Sequence, residues 1–139
     1  MTAQQRTRQP RTRLERLGGR AALVAIVETF YDRIEADPEL RPVFPPDLRP
    51  GRDKQAAFLE QWMGGEPRYT QIYGEPALRR RHRPFAITER GAERWLAHLE
   101  ASFEAHGTEE ALTREIMDAL RPLALRMVNT TEVRTRPDA

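Results

Sequence analysis

The chain has 139 residues and a mass of 16.1 kDa, with 39% hydrophobic residues, 32% charged residues and no cysteine. That length suits one domain, and the lack of cysteine excludes a disulfide framework, a thiolate nucleophile and an iron–sulfur cluster, as expected for a cytoplasmic protein in a reducing compartment. The formal charge is +2, but residues 1–20 carry six arginines against one glutamate, a local +5 that leaves −3 on the other 119 residues. A mildly acidic body argues against a nucleic-acid partner, which needs positive charge on its folded surface.

Residues 1–14 therefore read as a disordered basic arm, 15–130 as the domain and 131–139 as a disordered tail. The longest apolar run, Ala21 to Val27, is seven residues. A membrane helix needs roughly 20, so no membrane partner is expected, and no leader pattern follows the basic start.

In chain order, Leu23, Ile26, Val27, Phe30, Tyr31 and Ile34 recur at three and four, the spacing of one helical stripe behind the Gly18-Gly19 doublet. Asp37-Pro38 has the form of an N-cap followed by a first-turn proline and predicts a short helix. Phe44-Pro45-Pro46-Asp47 and Pro50-Gly51 interrupt the chain before a helix with Phe58, Leu59, Trp62 and Met63, which stops at Gly64-Gly65. Glu75-Pro76 predicts another short helix that Pro84 must end.

Thr88-Glu89 predicts the N-terminus of a helix with Ala92, Trp95, Leu96, Leu99 and Phe103 on one face. Thr108 with Glu109 and Glu110 repeats the device before a last helix with Leu112, Ile116, Leu120, Leu123 and Met127. No stretch alternates as a strand. The expected class is all-α, with four substantial helices and two or three short ones.

The segment from about 64 to 88 is a long connection for so small a domain, and such connections are usually functional or disordered. It holds Tyr69, Tyr73, Leu78, His82, Phe85 and Ile87, too apolar a set for disorder. His82 follows Leu78 by four and is flanked by Arg79, Arg80, Arg81 and Arg83. On spacing alone it reads either as a surface histidine in a basic turn or as an axial metal ligand. Neither His98 nor His106 completes a multi-histidine motif, and one protein ligand suffices only where the metal brings its other ligands, as haem does.

Leu78-Arg79-Arg80-Arg81-His82-Arg83-Pro84-Phe85, with Trp95 thirteen residues after His82, resembles the proximal region of group II truncated haemoglobins. Phe30-Tyr31, the Phe44-Pro45 corner, and Phe58-Leu59-Glu60-Gln61-Trp62 before Gly64-Gly65 match the same family in order and spacing over about residues 15 to 130. The resemblance implies a two-over-two helical sandwich around haem b.

It also implies roles for individual residues. His82 would be the proximal iron ligand, Tyr31 and Trp95 the distal hydrogen-bond donors, and Phe44, Phe58, Tyr69, Leu78 and Phe85 the walls. Lys54 and Arg81 would meet the haem propionates, although Lys54 reads equally well as an exposed cation. Gly51 and Gln55, four apart on one predicted helix, would share a distal face where the absent side chain opens a route and the amide adds a donor. Alternatively, Gly51 ends the proline-rich loop and Gln55 faces solvent.

The function so implied is reversible binding of dioxygen or of NO and CO, with scavenging or peroxide chemistry as extensions and a reductase as partner, in a monomer or homodimer. A haem-free helical interaction module is the other expectation.

Overall fold

A computed structural model describes residues 11–131, and all its regular structure among those residues is helical. The helices are α1 (Arg13–Leu17), α2 (Arg20–Glu35), α3 (Arg49–Trp62), α4 (Arg68–Tyr73), α5 (Leu78–His82), α6 (Glu89–Ala105) and α7 (Glu110–Leu125), with a 3-10 turn at Arg41–Val43. Helix α2 packs on α3, α6 packs on α7, and α2 crosses α6, giving two helical pairs laid over each other.

The stripe anticipated on α2 is the centre of the core. Leu23, Val27, Phe30 and Ile34 are wholly inaccessible, as are Leu99 and Phe103 of α6 and Ile116 of α7, with Leu59 and Leu112 nearly so. Each such side chain contributes about 1.5 to 3 kcal/mol by leaving water, so the crossing of α2 over α6 is the main source of stability.

Residues 1–10 and 132–139 lie outside the described residues, and with them most of the arm and tail expected from composition. The helical chain starts within the expected arm. Thr12 and Glu15 form a reciprocal capping box at the start of α1, and the Leu14 amide donates to the Met63 carbonyl at 3.1 Å. Arg13 and Arg16 both hold Glu115 of α7, at 2.9 and 3.0 Å, and Arg20 holds the buried Glu60 at 3.3 Å. These arginines brace α1 and α2 against the body.

The double glycine that ends α3 is required by that docking. Gly64 has φ +95°, and a β-carbon on Gly65 would stand 2.5 Å from Leu14 Cδ2. No other residue lets α1 approach so closely.

Three boundaries differ from the sequence reading. Asp37 caps only a turn, its carboxylate accepting from the amides of Glu39 and Leu40 at 2.8 and 3.2 Å. The chain then enters the 3-10 turn instead of a helix, because Pro42 and then Pro45-Pro46 leave no run of amide donors. Pro50 and Gly51 lie inside α3, in its first turn, where a proline needs no amide partner. Thr88 caps α6 as expected, accepting from the Gly91 amide at 2.9 Å, whereas α7 begins at Glu110 with no side-chain cap, and Met127 falls beyond its end at Leu125.

Candidate functional site

The long middle segment resolves into two short helices, and α5 carries His82. Its entry is strained: Ala77, the N-cap, has φ +40°, a left-handed conformation that costs a non-glycine residue about 1 kcal/mol or more. His82 Nδ1 lies 2.6 Å from the Leu78 carbonyl oxygen. A carbonyl only accepts, so Nδ1 carries the proton, and in the neutral imidazole the lone pair is then on Nε2. Histidine in this tautomer, half-buried and held one turn from its anchor, is prepared to ligate a metal. Leu78, expected only as an apolar wall, is thus also the residue whose main chain orients the imidazole.

A separate array of aromatics joins α2, α6 and the proline corner. Phe30 meets Tyr31 and Trp95 edge-on, each pair with centroids 5.3 Å apart, and Tyr31 meets Phe44 edge-on at 6.1 Å. Phe44 is positioned by Arg41, whose guanidinium donates to the carbonyls of Phe44, Pro45 and Pro46 at 3.4, 2.9 and 2.8 Å. Burial pushes the Tyr31 phenol well above its ordinary pKa, with the Arg52 guanidinium opposing weakly. Tyr31 is therefore a permanent O–H donor.

Gly51 lies beside this array. A β-carbon built on Gly51 would stand 3.4 Å from Tyr31 Oη, so Gly51 adjoins the phenol and does not merely end the loop. Gln55 Nε2, one turn on, is buried without a hydrogen-bond partner. Neither Tyr31 Oη nor Trp95 Nε1 finds a partner among the described residues either. A buried donor without an acceptor costs about 1 to 3 kcal/mol, and of these three only Gln55 Nε2 is such a buried atom.

A second aromatic run connects α3, α4 and α5. Phe58 packs on Tyr69 at 5.9 Å and Tyr69 on Tyr73 at 5.1 Å; Arg81 lies over Tyr69 and Lys54 over Tyr73, at 5.6 and 5.5 Å from the ring centres. Arg81 donates through one terminal nitrogen to the carbonyls of Tyr73 and Glu75, at 2.9 and 3.0 Å, while its Nε is buried with no partner. Lys54 has no carboxylate within 4.0 Å among the described residues. Two cations aligned on neighbouring rings with donors to spare fit carboxylates arriving from a bound group.

One residue of this region gave no sequence signal. Asn129 donates to the carbonyls of Phe85 and His82 at 2.8 and 3.4 Å and accepts from the Ile87 amide at 3.0 Å, tying the loop after His82 to the chain beyond α7. It lies 47 residues from His82 in sequence, so no local pattern could reveal it. An open cleft of about 640 Å³ between α6 and α7 is lined by such residues as Glu93, Glu100, Arg114 and Arg121 and includes none of the groups above.

Comparison with known proteins places the chain in a family. Residues 12–129 match the bacterial-like globin family. The chain is 40% identical over 118 residues to group 2 truncated hemoglobin YjbI of Bacillus subtilis (strain 168), covering 85% of this chain and 89% of that one. Among solved structures, the group II truncated haemoglobin of Bacillus anthracis superposes with a TM-score of 0.87 at 38% identity, covering 91% of this chain and 97% of that one. The truncated oxygen-avid haemoglobin of Bacillus subtilis superposes with a TM-score of 0.81 at 38% identity, covering 86% and 100%.

Proposed function

The chain belongs to the truncated haemoglobins, within the bacterial-like globins, and from that premise we propose that it binds haem b through His82 and reversibly holds dioxygen between Tyr31 and Trp95. The observation that carries this reading is the 2.6 Å contact of His82 Nδ1 with the Leu78 carbonyl, which leaves Nε2 as the basic ligand atom. Haem, when bound, supplies the iron centre at which a diatomic ligand is held.

The chain's own residues do the rest. Phe44, Phe58, Tyr69, Leu78 and Phe85 wall the cofactor and exclude water. Lys54 and Arg81 meet its carboxylates with donors that have no other partner. Tyr31 and Trp95 present N–H and O–H groups on the distal flank, with Gln55 as a third donor, and Gly51 leaves the approach to Tyr31 uncovered.

These donors would favour a ligand bearing partial negative charge, such as dioxygen, over carbon monoxide and slow its release. If each contributes about 1 to 1.5 kcal/mol, two slow release by about 10 to 100-fold. Nitric oxide is a further ligand, and a reductase partner would keep the metal ferrous. Slow release suits scavenging better than delivery, and a chain with no cysteine suits a reducing cytoplasm. A haem-free interaction module leaves the His82 tautomer and the unmet donors without a purpose.

Purified protein should show a Soret band that His82→Ala abolishes without loss of helicity. Protein that folds yet takes up no haem would end this reading.

A further inference from the structure

Arginines and acids are paired unevenly over this surface. Ten arginines among the described residues lie within 4.0 Å of a carboxylate. Eight do not, although residues 21–139 together carry net negative charge: Arg11, Arg33, Arg52, Arg80, Arg81 and the trio Arg79, Arg83 and Arg126. These three meet. With Met127, Val128 and Asn129 they line an open cavity of about 270 Å³ between α5 and the chain leaving α7, and no acid lines it.

Arg79 and Arg83 are one turn apart and share a face of α5, while Arg126 is the C-cap residue of α7. Like charges so placed repel one another unless an anion lies between them, and guanidinium forks match the oxygens of a phosphoryl group. Asn129 also lines the cavity; it is exposed, and its side chain is bonded to the carbonyls of His82 and Phe85 and to the Ile87 amide.

We propose that this cavity binds a compact polyvalent anion of the phosphate class. A few phosphoryl groups fill such a space, and three donors from two elements converge on it. The anion would bridge α5 to the end of α7, on the same junction that Asn129 holds. None of the three arginines takes part in the proposed haem site, so this inference stands or falls separately.

Isothermal titration of inorganic pyrophosphate into the full-length protein at low ionic strength tests it, with Arg79→Gln, Arg83→Gln and Arg126→Gln beside Arg114→Gln, an exposed arginine of α7, as control. One saturable site per chain is expected, weakened at least about tenfold by each cavity substitution and unchanged in the control, with circular dichroism showing every variant folded. Binding that does not saturate, or that Arg114→Gln weakens equally, overturns the proposal. Parallel arms use vesicles containing phosphatidic acid, and polyglutamate as a stand-in for an acidic protein. Capture of either while pyrophosphate fails to bind also overturns it, in favour of a membrane or protein surface.

Discussion

A β-carbon at Gly51 would stand 3.4 Å from the hydroxyl of Tyr31, so the side chain that α3 omits is the one that would cover the phenol. Glycine within a helix costs up to about 1 kcal/mol relative to alanine, and here that cost coincides with access to the Tyr31 phenol. Gly51→Leu should slow carbon monoxide rebinding after photolysis by about tenfold or more, while Gly51→Ala leaves it within about twofold and raises the thermal midpoint slightly. Equal rebinding in the leucine variant would show that ligands enter elsewhere.

Tyr31 is held protonated by burial, with its pKa raised above the ordinary phenol value. The hydrogen bond it offers should therefore not titrate in the working range. Oxygen release from the haem-loaded protein is expected to be flat from about pH 6 to about pH 9. Tyr31→Phe and Trp95→Phe should each speed release by about 5 to 15-fold, near 1 to 1.5 kcal/mol apiece. Stopped-flow measurement of both single variants and the double gives their coupling; rates unchanged in all three would remove the distal donors from the account.

Asp37 is buried, at 4% exposure, and its carboxylate is met by His98 Nε2 at 2.7 Å, Arg94 at 2.8 Å and two backbone amides. Burial pushes the carboxyl up, but the hydrogen bonds from His98, Glu39, Leu40 and Arg94 together outweigh it and hold the pKa well below the usual carboxylate range. A depressed carboxylate contributes stability that is fully present above its unfolded pKa, near 3.9, and is lost as pH falls through the folded value. Asp37→Asn should cost about 2 to 3 kcal/mol in urea unfolding at neutral pH, with the difference from the parent shrinking below about pH 4. A constant difference down to the acid limit would show that geometry, not charge, is what Asp37 supplies.

Asn129 fastens the loop that follows His82, and its bonds are exposed enough for water to replace them in part. Asn129→Ala should leave the fold intact, at a cost of about 1 kcal/mol, while haem transfer to an excess of competing apoglobin speeds by several-fold. Transfer at the parental rate would confine Asn129 to holding the C-terminal segment.

The fold was legible because its information is local. The three-and-four spacing of Leu23, Val27, Phe30 and Ile34 marks the buried stripe of α2 before any partner is known, and the same holds for Leu99 and Phe103. Thr88 announced α6 for the same reason, since a cap reaches only three residues ahead. The capping device expected at Thr108 did not form because α7 starts at Glu110, and a threonine two residues before the first helical position cannot reach the first-turn amides.

Composition and periodicity by themselves pointed to an all-helical class and left His82 open between a surface histidine and an axial ligand, and the ordered motifs around it carried the family resemblance. Tertiary structure alone decided the rest. Gly51 is brought against Tyr31 from twenty residues away, Arg13 is drawn from the apparent free arm, together with Arg16, onto Glu115, and Asn129 ties the loop after His82 to the chain beyond α7. Helical periodicity, like the contact of His82 with the Leu78 carbonyl, follows from bonds four residues long, whereas an open approach or a long-range ion pair depends on which distant atoms packing brings within about 3 Å.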